Sequence, residues 1–154
     1  MKLSATTEMK MPPKRAYREL TDFGAFETLL AERGAELVRS SEPDPPGPGT
    51  RWEGTVPFNG VARDVTVEVT EAVPDARLCF ALTGPGLEGT AEIALTEASK
   101  RATRVAVEVN VTPRTMRGRI LIQPLKLAHA TLEARFADRV DRLARAIEKR
   151  RRKI

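Results

Sequence analysis

The amino-acid sequence predicts an α+β fold, one antiparallel sheet of about seven strands with helices over one face. Three observations carry that reading. Apolar and polar side chains alternate almost without interruption from Trp52 to Thr112, and short turns separate the runs. From Leu125 to Ile147 the apolar period lengthens to that of a helix. A content of 41% apolar and 31% charged residues over 154 positions is ordinary for a globular chain and enough to bury a core.

The elements follow in order. In LSATTEM, Leu3, Ala5, Thr7 and Met9 share one parity against Ser4, Thr6 and Glu8, which predicts a first strand. Pro13 suits the first position of a helix and Gly34 its stop. Between them Tyr17, Leu20, Phe23, Phe26, Leu29 and Leu30 recur at helical spacing, and Gly24 divides the stretch into two short helices. AELVRSSE reads as a short strand. PDPPGPGT, with four prolines and two glycines, reads as an irregular loop.

Five alternating runs come next. Trp52, Gly54, Val56 and Phe58 share a face, then Val61, Val65, Val67 and Val69, then Leu78, Phe80 and Leu82. Leu87, Ala91, Ile93 and Leu95 form the fourth, and Val105, Val107, Val109 and Val111 the fifth. The opposite parity carries Glu53, Thr55, Asp64, Thr66, Glu68, Glu92, Glu108 and Asn110, so each strand is half buried. Turns at FNG, VPDA, TGPG and EASKRA are short enough to make the strands a meander.

At ~100° per residue, Leu125, His129, Leu132, Phe136, Val140, Leu143 and Ile147 fall within an arc of about 80°. This is a long amphipathic helix with the chain's only histidine inside its apolar stripe. Pro124 has no amide hydrogen and marks either the start of this helix or a kink in it. A sheet with one apolar face needs a cover, and this helix is long enough to supply it.

The net charge of +5 is unevenly spread. Residues 1–113 carry 13 Lys/Arg against 17 Asp/Glu, and residues 114–154 carry 13 against 4. The chain ends in EKRRRKI, a basic tail at about 148–154. Cations suit a helix C-terminus. No aromatic residue is interleaved with them, so no specific nucleic-acid reading is expected. Weak contact with an anionic membrane surface is the better expectation for this tail.

The order strand, two short helices, about six strands and a long helix resembles the helix-grip fold of the START and Bet v 1-like (SRPBCC) superfamily, which includes polyketide cyclases. The likeness spans the chain, taken as a single domain over residues 1–154. TDFGAFETLLAERGAELVR and the closing LIQPLKLAHATLEARFADRVDRLARAIEK are similar to bacterial members. The resemblance implies a curved sheet gripping the long C-terminal helix over its concave face. It further implies an apolar cavity that takes a lipid-like or aromatic ligand.

Several motifs are set aside. GPGLEG matches a dinucleotide fingerprint letter for letter, but TAEIALTEA after it alternates as a strand where the fingerprint needs a helix, so a hairpin turn is expected. NVT at Asn110 reads as an outward strand residue. Cys79, the sole cysteine, excludes an internal disulfide, has no basic neighbour to activate it, and belongs to no metal-ligand spacing. No metal or cofactor is expected. MKLSATTEMKMPPKR lacks the apolar core of a signal peptide, and no run approaches the ~18 apolar residues of a membrane span, which makes the cytoplasm the expected location.

The expected cavity residues are Trp52, Phe58, Val67, Phe80, Ile93 and Val107 from the strands, with Leu125, His129 and Leu132 from the helix. Arg63 and Glu71 have the inward parity near strand ends and are expected at the cavity mouth. A lone histidine with no carboxylate or nucleophile in regular relation to it makes no catalytic constellation, so no catalytic residue is assigned. Three functions stay open. The first, favoured, is a non-catalytic binder or carrier of a hydrophobic small molecule. The second is a cyclase- or dehydratase-like enzyme, which requires His129, Arg63 or Tyr17 to converge. The third is an interaction module acting through the basic C-terminal helix.

Overall fold

The computed structural model describes the backbone of residues 1–58 and 60–152, and their side chains except those of 58, 151 and 152. The chain runs β1 (Lys2–Met9), α1 (Pro13–Leu20), α2 (Phe23–Ala31), β2 (Glu36–Ser41), β3 (Arg51–Phe58), β4 (Val61–Val73), β5 (Arg77–Gly84), β6 (Leu87–Ser99), β7 (Ala102–Pro113), α3 (Met116–Leu127) and α4 (His129–Arg152). The strands form one antiparallel seven-stranded sheet in the order β1-β7-β6-β5-β4-β3-β2. This is the predicted meander, with β1 added beside β7.

Local chemistry sets the boundaries. Pro13 opens α1, where its missing N–H costs nothing. Asp22 caps α2 by accepting from the Ala25 amide, so the two short helices divide at Thr21–Asp22, slightly before Gly24. GPGLEG is the β5–β6 hairpin, with Gly86 at φ 70°. That turn also seats α3. The Gly86 carbonyl accepts from Arg114, and a side chain on Gly118 would strike the same carbonyl oxygen, so two glycines permit the close approach.

The C-terminal helix is divided. Pro124 lies inside α3, and the break falls a turn later at Ala128, with φ −100° and ψ 20°. α4 remains long, at 24 residues.

The core sits between the helices and the inward face of the sheet. Met9, Met11, Ala16, Leu20, Leu78, Leu95, Val105, Ala144 and Ile147 form one cluster, which joins α1 and the C-terminal half of α4 to the strands. A smaller cluster holds Phe23, Trp52 and Val69. Leu132, Phe136, Val140 and Leu143, on the same stripe of α4, are half-buried.

The polar flank of α4 follows the free edge of β1. Met1 and Val111 exchange backbone hydrogen bonds, so odd residues of β1 pair with β7 and even residues turn their amides and carbonyls outward. His129 Nε2 donates to the Lys2 carbonyl at 2.7 Å. Glu133 accepts from the Ser4 amide at 3.3 Å and Glu148 from the Lys10 amide at 2.6 Å. Arg145 donates to the Glu8 carbonyl. An edge strand that would otherwise offer a template for pairing is thereby occupied.

Candidate functional site

Two adjoining cavities lie on the inward face of the sheet and meet at Leu82. The first, of about 210 Å³, lies between α2 and strands β2 to β6. Its lining includes Phe23, Phe26 and Leu30 of α2 with Trp52, Val67, Phe80, Leu82, Ala91 and Ile93 of the sheet. Period-two alternation puts these strand residues on one face, as the register confirms: Trp52 stands opposite Val67 and Val67 opposite Leu82, while Phe80 stands opposite Ala91. Trp52, 6% exposed, meets the Phe23 ring edge to face, with centroids 5.1 Å apart and planes at 89°. Such a pair contributes about 0.5–1.5 kcal/mol beyond its area and stiffens the wall.

Among the described residues, Glu27 is the one titratable side chain lining this first cavity. It is already occupied by the Arg39 guanidinium, which donates to its two oxygens at 2.9 and 3.2 Å and to Glu42 at 2.6 Å. The second cavity, of about 180 Å³, continues past Leu82 to Val56, Arg63, Val65, Leu87, Val111 and Leu121 of α3, with Asp64 and Glu88 also on its lining. The Trp52 indole N–H and the Arg63 Nε–H are buried and make no hydrogen bond among the described residues. An unmet buried donor costs about 1–3 kcal/mol.

The structure brings Trp52, Val67, Phe80 and Ile93 together in the first cavity and sets Arg63 in the second. Val107 packs against the larger core cluster, opposite Ile93 in the register. Leu125 is buried beneath α3 and Leu132 is half-buried on α4. The side chain of Phe58 lies outside the described residues. Two expectations need correction. Glu71 has the inward parity only if β4 is regular, but the register shifts between Val69 and Glu71. The extra residue puts Glu71 opposite Cys79 on the outward face, where it pairs with Arg77 at 2.5 Å. His129 reaches the edge of β1 and is not among the residues lining either cavity.

A family model described as polyketide cyclase / dehydrase and lipid transport matches residues 1–148. The chain belongs to that family. No curated protein sequence matches it significantly. Among solved structures, TTHA0849 from Thermus thermophilus superposes with a TM-score of 0.72 at 19% identity, covering 97% of this chain and 96% of that one. A START superfamily protein from Mycobacterium smegmatis gives 0.61 at 14% identity, covering 87% and 95%. The Zhui aromatase/cyclase from Streptomyces sp. R1128 gives 0.63 at 12% identity, covering 75% and 69%. At these identities the likeness is one of fold, the helix-grip arrangement that the order of elements predicts.

Within this polyketide cyclase and lipid transport family fold, the wall that sequence reasoning missed is α2. Its apolar residues were legible as a helix, but nothing in their spacing says that Phe23 and Leu30 face a cavity. The groups required to converge for catalysis stand apart. Tyr17 packs against the larger core cluster, Arg63 lines the second cavity, and His129 is at the sheet edge. Burial, with Asp75 adding to it, raises the Tyr17 phenol above its ordinary value. Burial and then Glu92 do the same to the Cys79 thiol. Among the described residues no three His, Cys, Asp or Glu side chains group as metal ligands.

Proposed function

We propose that this protein binds a hydrophobic small molecule, lipid-like or aromatic, along the two adjoining cavities. The observation that carries the reading is their shared apolar wall, continuous through Leu82 from Trp52 to Leu121. A small number of polar groups on an apolar wall is the usual design of a small-molecule pocket. Here those groups are graded. Glu27 is already paired, whereas Arg63 has a free Nε–H. The ligand's apolar body lies over Trp52, Val67, Phe80 and Ile93, and an acceptor on the ligand reaches toward Arg63. Leu125, Leu132 and Val107 belong to the surrounding apolar layer rather than to the contact surface.

The test is native mass spectrometry of the gently purified protein, compared with its Arg63→Gln variant. The expected result is a co-purified apolar adduct in the wild type. The variant should hold an anionic amphiphile about tenfold or more weakly, as loss of a hydrogen bond to a charged group implies. A ligand-free wild type that also rejects added fatty acid would contradict the reading.

A further inference from the structure

We propose that α3 is a docking surface for an anionic lipid bilayer. At ~100° per residue, Met116, Ile120 and Leu127 fall within an arc of about 40°, opposite the buried Gly118, Ile122 and Leu125. They are 69%, 68% and 90% exposed, so α3 carries a second apolar stripe turned to solvent. Arg117 stands on one flank of that stripe, and Arg119 and Lys126 on the other. No Asp or Glu occurs anywhere from residue 109 to 132. Arg114 is tied to Glu88 at 2.6 Å, but Arg117, Arg119 and Lys126 form no ion pair among the described residues.

An apolar stripe with cations on both flanks is the pattern of a helix lying in the membrane interface. Its apolar side chains enter the headgroup boundary while its cations meet lipid phosphates. The same charges argue against a second copy as occupant, because two such faces would set their cations against each other. The basic tail competes less well. Arg150 is spent on Glu19 of α1, at 2.8 Å to the carboxylate and 3.0 Å to the carbonyl. Leu121 of α3 lines the second cavity, so docking would set that cavity's wall beside the bilayer. That last consequence rests on the ligand reading, but docking itself does not.

Co-sedimentation with vesicles of phosphatidylcholine alone, and of phosphatidylcholine mixed with phosphatidylglycerol, tests the proposal without any ligand. The wild type should bind the anionic vesicles and release as salt rises. A Met116→Ser/Ile120→Ser/Leu127→Ser variant should keep its circular dichroism spectrum, since all three side chains are exposed, and lose binding by at least about tenfold. Arg117→Gln/Arg119→Gln/Lys126→Gln should weaken anionic binding by roughly fivefold for each cation removed. Failure of the wild type to bind would overturn the proposal. So would binding that survives the serine variant but not Arg151→Gln/Arg152→Gln/Lys153→Gln. Self-association of the wild type that the serine variant abolishes, with vesicle binding unchanged, would assign the stripe to a second copy instead.

Discussion

The Nε2 nitrogen of His129 lies 2.7 Å from the Lys2 carbonyl oxygen, so that nitrogen carries the hydrogen and donates. The sequence places His129 within the apolar stripe of a helix, a reading the structure corrects to the polar flank of α4. Nor does the sequence say which strand edge the helix follows, and the acceptor is a backbone atom 127 positions away. His129→Leu is therefore expected to lower stability by about 1 kcal/mol in chemical denaturation. Ligand affinity should not change, and loss of affinity at unchanged stability would return His129 to the cavity. Cys79 supplies a pH test. Its thiol is raised by burial, then by Glu92, so the unfolded chain loses the proton first as pH rises. This contribution to stability is fully present below the ordinary thiol value and is lost as pH rises from there through the raised native value. At mildly alkaline pH, Cys79 should react with a disulfide reagent more slowly in the native protein than in denaturant. Equal rates would contradict the burial.

At the scale of elements, regular pattern was legible and its interruptions were not. Val105, Val107, Val109 and Val111 announce β7 because a strand alternates with period two. The bulge near Thr70 carries no such mark, since a single extra residue leaves the composition of β4 unchanged while reversing the face of Glu71. The α4 clasp was hidden for a related reason. Glu133, Arg145 and Glu148 look like solvated helix residues, and His129 like a member of the apolar stripe, until the outward backbone groups of β1 are set against them. The apolar stripe of α4 is graded, with Ile147 2% exposed and Phe136 only half-buried. Ile147→Ala should cost about 2–5 kcal/mol, and Phe136→Ala should cost less than the ~3–5 kcal/mol of a fully buried phenylalanine. Urea midpoints of the two variants check the order. A larger loss at Phe136 would mean that the open half of α4 closes in solution.

Across the whole molecule, the meander and the need for a helical cover followed from hydrophobic periodicity, and the seven-stranded sheet bears them out. The cavity did not follow from periodicity. An inward side chain that fills the core and one that leaves space have the same parity, so Leu78 at 1% exposure and the half-buried Leu82 read alike in the sequence. What distinguishes them is where α1, α2 and α4 come to rest. Trp52 is the chain's single tryptophan and lines the first cavity, so its emission reports on that space alone. The central claim is tested most directly by titrating the protein with anilinonaphthalene sulfonate while following Trp52 emission. A saturable quench by energy transfer is predicted for the wild type, abolished by Ala91→Phe, which fills the cavity without altering Trp52. Emission that stays flat, or a quench that Ala91→Phe leaves intact, would contradict the account.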